Sequence, residues 1–144
     1  MRQFRISDRF TTADIGLDII GDSLLELFAA AMEGMFAIIL GPCVEKDSKA
    51  SFSIALSAET LEQLLVDWLS ELLYRFDAEL QVPTACRLEI DRVGERYMLA
   101  GSVQFRDFER EKEPSEHEIK AITYYKLQII ETNGILSCHV VFDL

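Results

Sequence analysis

The chain is short of the residues that most enzyme sites need. It has two histidines, His117 and His139, far apart in sequence. A zinc site, a Ser-His-Asp triad and a Cys-His dyad are all poorly supplied. Its three cysteines, Cys43, Cys86 and Cys138, are odd in number and widely spaced, with no C-x-x-C pair. This argues against a disulfide framework and against a cysteine zinc site, and free thiols suit a reducing compartment. There is no phosphate loop and no G-x-G-x-x-G. No apolar run reaches transmembrane length, and Met1-Arg2-Gln3-Phe4-Arg5 lacks the apolar stretch of a signal peptide. The expectation is a cytoplasmic protein with no membrane contact. Basic charge is scarce too: 14 Lys and Arg stand against 25 Asp and Glu, a net charge of −11. Direct binding to nucleic acid is disfavoured, because phosphates need Lys and Arg to neutralise them. Such a surface steers towards a basic partner or a cation, or serves solubility alone.

What is present suits one folded domain, residues 1–144, with 49% apolar residues. Residues 3–6 and 15–20 alternate as strands. Ser23 and Glu26 have capping-box spacing, and Leu24, Leu27, Phe28, Ala31, Met32, Met35 and Phe36 follow at helical spacing. Gly41-Pro42 ends that helix. Residues 43–50 read as a loop and 51–56 as a strand. A second helix is expected to begin near Ser57–Glu59, with its apolar face from Leu61 to Phe76. Ile15, Leu17, Ile19 and Ser23 correspond to Phe52, Ile54, Leu56 and Thr60 at a fixed offset. An internal β-α duplication explains this, and so does the general likeness of amphipathic strand–helix units. Strands are expected from about Thr84 to Ile90 and from Tyr97 to Phe105, joined by a turn at Gly94-Glu95. Residues 106–118 are densely charged and read as an exposed loop. Residues 119–130 are rich in β-formers, Asn133-Gly134 signals a hairpin, and 135–142 form the last strand. The fold class is α+β: a two-layer domain, mostly antiparallel sheet packed against two long helices.

Few residues could carry chemistry. Asp14 stands between small residues just before the first strongly alternating run. On its own it reads more simply as a turn residue accepting backbone donors. Asp143, near the end of the last strand, reads alone as a frayed, solvated residue. If the two ends meet, Asp14, Asp143 and the carboxylate at Leu144 form an oxygen-only cluster, suited to Ca²⁺ or Mg²⁺ rather than zinc or copper. Asp22 precedes Ser23 and reads as a helix cap. Lys120 lies in a β-rich run, where it either snorkels to solvent, pairs with a carboxylate or contacts a partner. Trp68 sits at core spacing.

Several stretches resemble the archease family: Phe10-Thr11-Thr12-Ala13-Asp14-Ile15-Gly16, Gly21-Asp22-Ser23-Leu24 with Glu26-Leu27-Phe28, Met35-Phe36, the run from Leu64 to Phe76, Glu118-Ile119-Lys120-Ala121-Ile122-Thr123-Tyr124, and Val141-Phe142-Asp143-Leu144. They fall in order over essentially the whole chain. The resemblance implies a non-enzymatic accessory protein of tRNA splicing. Such a protein promotes the GTP-dependent guanylylation and turnover of an RNA ligase. The alternative role is a chaperone or specificity subunit for a tRNA cytosine methyltransferase. It also implies a divalent metal, usually Ca²⁺ (Mg²⁺ and Mn²⁺ being the alternatives), at Asp14, Asp143 and Leu144. Asp22 and Lys120 match other motif positions and imply partner contact. The family often has His where this chain has Thr11 and Tyr125.

Overall fold

The computed structural model describes residues 1–7, 13–42 and 47–144. Phe10, Thr11, Thr12 and Cys43 lie outside the described residues. Ten elements follow in chain order: β1 (Arg2–Ile6), β2 (Asp14–Gly21), α1 (Leu24–Leu40), β3 (Ala50–Ala58), α2 (Leu61–Glu79), β4 (Gln81–Val93), β5 (Arg96–Asp107), β6 (Ala121–Thr123), β7 (Ile130–Thr132) and β8 (Ile135–Asp143).

Local chemistry sets the helix ends. Ser23 caps α1, its hydroxyl accepting from the Glu26 N–H at 3.2 Å. Gly41, with φ 72°, closes α1 by donating its N–H to the Ala37 carbonyl at 2.9 Å. Thr60 caps α2 in the same way, accepting from the Gln63 N–H at 3.1 Å. Ser23 and Thr60 are the residues matched by the sequence offset, so the two strand–helix units share their capping position. The helix α2 starts later than expected because Ser57 and Ala58 still pair with Met98 and Tyr97, which keeps β3 extended to that point.

The sheet comes in two pieces, both antiparallel. One runs β1-β2-β8-β6, with β7 also on β8; the other runs β3-β5-β4. The strand β4 begins at Gln81, ahead of the expected Thr84. It carries Pro83 at a register shift between Pro83 and Ala85, which an edge strand tolerates. The β-rich stretch 119–130 is not one strand. β6 and β7 both lie along the same side of β8, and the chain leaves the ladder between them. There Lys126 takes φ 52°, and the Ile129 N–H donates to a Glu62 carboxylate on α2 at 3.0 Å. A helix side chain thus takes the place of a strand partner. The stretch 106–118 is also not wholly exposed. β5 extends to Asp107, and Arg106, Phe108 and Ile119 are buried in or beside it.

The two helices and the inward faces of both sheets share one core. Leu17 of β2 packs into α1 at Gly34, where an added Cβ would lie 2.6 Å from a Leu17 methyl. Trp68 of α2 is fully buried and donates its indole N–H to the Phe28 carbonyl of α1 at 3.0 Å. In the second sheet, a Cβ on Gly101 would sit 2.0 Å from the Arg87 carbonyl oxygen. That neighbour is backbone and cannot swing aside. Gly101→Ala is therefore expected to cost about 1–3 kcal/mol, the range for overpacked sites, read as a lower urea midpoint.

Candidate metal centre where β2 and β8 meet

Asp14 opens β2 and Asp143 closes β8, and they are direct partners in the ladder. Residues directly opposite each other project to one face, with Cβ atoms about 4.5–5.5 Å apart. That face is fixed by alternation. Ile15, Leu17 and Ile19, with Val140 and Phe142, turn to the helices and are buried. Asp14, Gly16 and Asp18, with Asp143, Val141 and His139, take the opposite face. Main-chain bonds hold the corner on both sides. The Leu144 N–H donates to the Ala13 carbonyl at 2.8 Å, and the Lys120 N–H donates to the Asp143 carbonyl at 2.8 Å. Ala121 opposes Asp143 from β6. Asp143 is thus tied into the sheet rather than frayed, while its side chain stays exposed.

The structure therefore brings together Asp14, Asp143, Leu144 and Lys120. It does not bring Asp22 to them. Asp22 follows the far end of β2, about 25 Å away at ~3.3 Å per strand residue. Nor is Asp22 the helix cap, a role Ser23 takes. Its carboxylate instead lies 2.6 Å from the Met1 amine. Tyr125 falls in the turn between β6 and β7 and is exposed, with the Lys126 ammonium 5.4 Å from its ring. Thr11 is outside the described residues.

Among the described residues, no three His, Cys, Asp or Glu side chains gather as a metal-holding group. The groups that Asp14, Asp143 and Leu144 bring to this corner are two side-chain carboxylates and the main chain of Leu144. Two carboxylates on one rung repel each other, and a cation between them reverses that. An all-oxygen set of this kind fits a hard divalent cation such as Ca²⁺, Mg²⁺ or Mn²⁺.

A second polar group on the same face was not singled out from the sequence. Arg5, Asp18 and His139 occupy successive strands on one rung. His139 Nδ1 lies 2.7 Å from Asp18 Oδ1, and Arg5 donates to Asp18 Oδ2 at 3.0 Å. Gly16 leaves room for this layer, since a Cβ there would meet Ser7 Oγ at 2.4 Å and His139 Cε1 at 2.8 Å. The signal was present in the spacing: Asp18 is four residues from Asp14, and His139 four from Asp143, so strand alternation puts all four on one face. Partial burial pushes the Asp18 carboxyl up, but its bonds to His139 and Arg5 outweigh this and hold it below its ordinary value. A lowered carboxyl contributes stability above its unfolded pKa of about 3.9, and loses it as pH falls through the native value. With the side chain about a third exposed, solvent screening leaves a contribution of about 1 kcal/mol. Asp18→Asn is expected to lower stability by that amount at pH 7. The deficit should shrink as denaturation is repeated below pH 4.

Among the described residues, the thiols offer no nucleophile. Burial pushes Cys86 up to about 11 and Cys138 up to about 12, so both stay protonated at neutral pH. No helix among the described residues is long and apolar enough to cross a membrane.

Residues 4–144 match the Archease protein family (MTH1598/TM1083). The chain belongs to the archease family. The archease of Pyrococcus furiosus is 37% identical over 119 residues, covering 82% of each chain. The solution structure of protein 1598 from Methanobacterium thermoautotrophicum matches with a TM-score of 0.83 at 27% identity, over 98% of each chain. A crystal structure from Thermotoga maritima, described as an archease and possible chaperone, shares the fold with a TM-score of 0.61 at 23% identity, over 96% of each chain. The α+β architecture expected from the pattern of strands and helices in the sequence is the one observed.

Proposed function

We propose that this archease-family protein is a non-enzymatic activator of a tRNA-splicing RNA ligase, promoting its GTP-dependent guanylylation and its turnover. The observation that carries the reading is the Asp14–Asp143 rung, a carboxylate pair built by the two ends of the family's sequence pattern. Asp14, Asp143 and the carboxylate at Leu144 would hold a Ca²⁺, or a Mg²⁺ or Mn²⁺ in its place. When bound, such a cation supplies positive charge towards the phosphates of a nucleotide. The chain's own contributions are electrostatic and positional. Its net charge of −11 favours docking on the basic surface that a ligase uses to hold RNA. Lys120 donates its main-chain N–H to the Asp143 carbonyl, and its ammonium would meet an anionic group of the partner.

The test is a ligase turnover assay with GTP and a divalent metal, run with and without the protein. Multiple turnover and faster guanylylation only in its presence are expected. An unchanged rate would overturn the reading. If a tRNA cytosine methyltransferase co-purifies and is stabilised instead, the protein serves as that enzyme's chaperone.

A further inference from the structure

A cavity of about 950 Å³ opens between β1, α1 and the start of β4, lined by none of Asp14, Lys120, Asp143 and Leu144. Phe4, Ile6, Phe36, Val82 and Pro83 give it apolar walls. Two of these, Phe4 and Ile6, are exposed on an edge strand, where large apolar side chains are unusual without a covering group. Arg106 also lines the cavity, although only 4% of its surface is exposed. Its Nη1 is satisfied, donating to the Asp107 carbonyl at 3.1 Å and to Glu113 Oε2 at 3.0 Å, with Glu113 Oε1 at 2.9 Å. Its Nε and Nη2 have no hydrogen-bond partner among the described residues. Neither nitrogen is a sealed-off polar atom, so this edge is open to a ligand from the cavity side. That edge offers two parallel N–H donors, the geometry in which arginine grips a carboxylate.

We propose that this cavity is a binding site for an amphiphilic carboxylic acid, its carboxylate on the Nε–Nη2 edge of Arg106 and its apolar body against Phe4, Ile6 and Phe36. The volume lies in the range of small-molecule pockets, which combine apolar walls with a small number of placed polar groups. The charge of the ligand follows from the other lining residues. Glu33, Asp47 and Glu116 also border the cavity, and Glu33 is already engaged by Arg2. These carboxylates repel a phosphate dianion about twice as strongly as a monoanion, so a single carboxylate is favoured. The site depends on neither the metal corner nor a ligase, and its failure would leave that reading untouched.

The experiment titrates the full chain with decanoate below its micellar concentration and follows backbone amides by NMR. Decanol and decyl phosphate serve as comparison probes. Saturable shifts at Phe4, Phe36 and Val82 are expected, with decanol and decyl phosphate each at least tenfold weaker. Arg106→Met should weaken decanoate at least tenfold. Should Arg106→Met fail to fold, Ala37→Phe decides, since it fills the cavity and leaves the Arg106–Glu113 pair in place; it too should lose at least tenfold. No saturable shift, decanol or decyl phosphate binding as well as decanoate, or undiminished binding by a folded variant would each overturn the proposal.

Discussion

Asp14→Ala and Asp143→Ala are each expected to abolish metal-dependent stimulation of the ligase and to weaken Ca²⁺ binding by about 100-fold or more. Residues that merely orient metal ligands typically cost 10–100-fold when removed, and a direct ligand should cost at least as much. The two carboxylates are matched on one rung of the ladder. Calorimetric titration with Ca²⁺ and a turnover assay read the two effects separately. Stability supplies the control. Without metal, Asp143→Asn removes a like-charge pair from the ladder and should leave the protein as stable as before, or more stable by a few tenths of a kcal/mol. Loss of binding in a fully stable variant is then loss of the site. Unchanged Ca²⁺ affinity in both variants would sink the assignment, whatever the ligase assay reports.

Trp68→Ala should give the largest loss of stability of any single change considered, about 3–5 kcal/mol. The indole is fully buried and sits where α2 meets α1. Its removal leaves a void bordered by residues of both helices, which both pack on strands of the two sheets and can collapse only in part. Trp68→Phe separates the contributions. It retains much of the ring and loses the N–H bond to Phe28, and should cost about 1–2 kcal/mol. Urea denaturation followed by far-ultraviolet circular dichroism measures both, since the substitution removes the only tryptophan fluorophore. A Trp68→Ala variant within 1 kcal/mol of the parent would show that the helix contact contributes little.

These two sites differ in how far the sequence discloses them. Trp68 is readable from periodicity alone, because its neighbours repeat with the helix and one stripe must be buried. The carboxylate rung is half readable. Alternation gives the face of each Asp, but no local rule says that β2 and β8 are neighbours. The family pattern suggested the meeting, and the ladder register establishes it. Arg106 reads in the sequence as part of an exposed charged loop, yet it is buried. Charge density predicts solvent exposure only when no partner is close, and Glu113, seven residues on, folds back onto it. The stretch 119–130 failed for a similar reason. Its β-propensity is real, yet a Glu62 side chain on a distant helix competes for the backbone at Ile129. Asp18 and His139 were missed because each is unremarkable alone, and only cross-strand pairing makes them a unit.

The pairing of β2 with β8 also has a kinetic side. It joins segments from opposite extremities of the chain, with every other long element in between. Such contacts close the largest loop and carry the greatest entropic cost, so they form late. A ligand gripped across Asp14 and Asp143 would therefore recognise only molecules that have finished folding. By mass action it would also hold them there, with a gain that grows as the logarithm of its concentration. The corner would then act as a checkpoint: partly folded chains, however compact, would have nothing with which to bind.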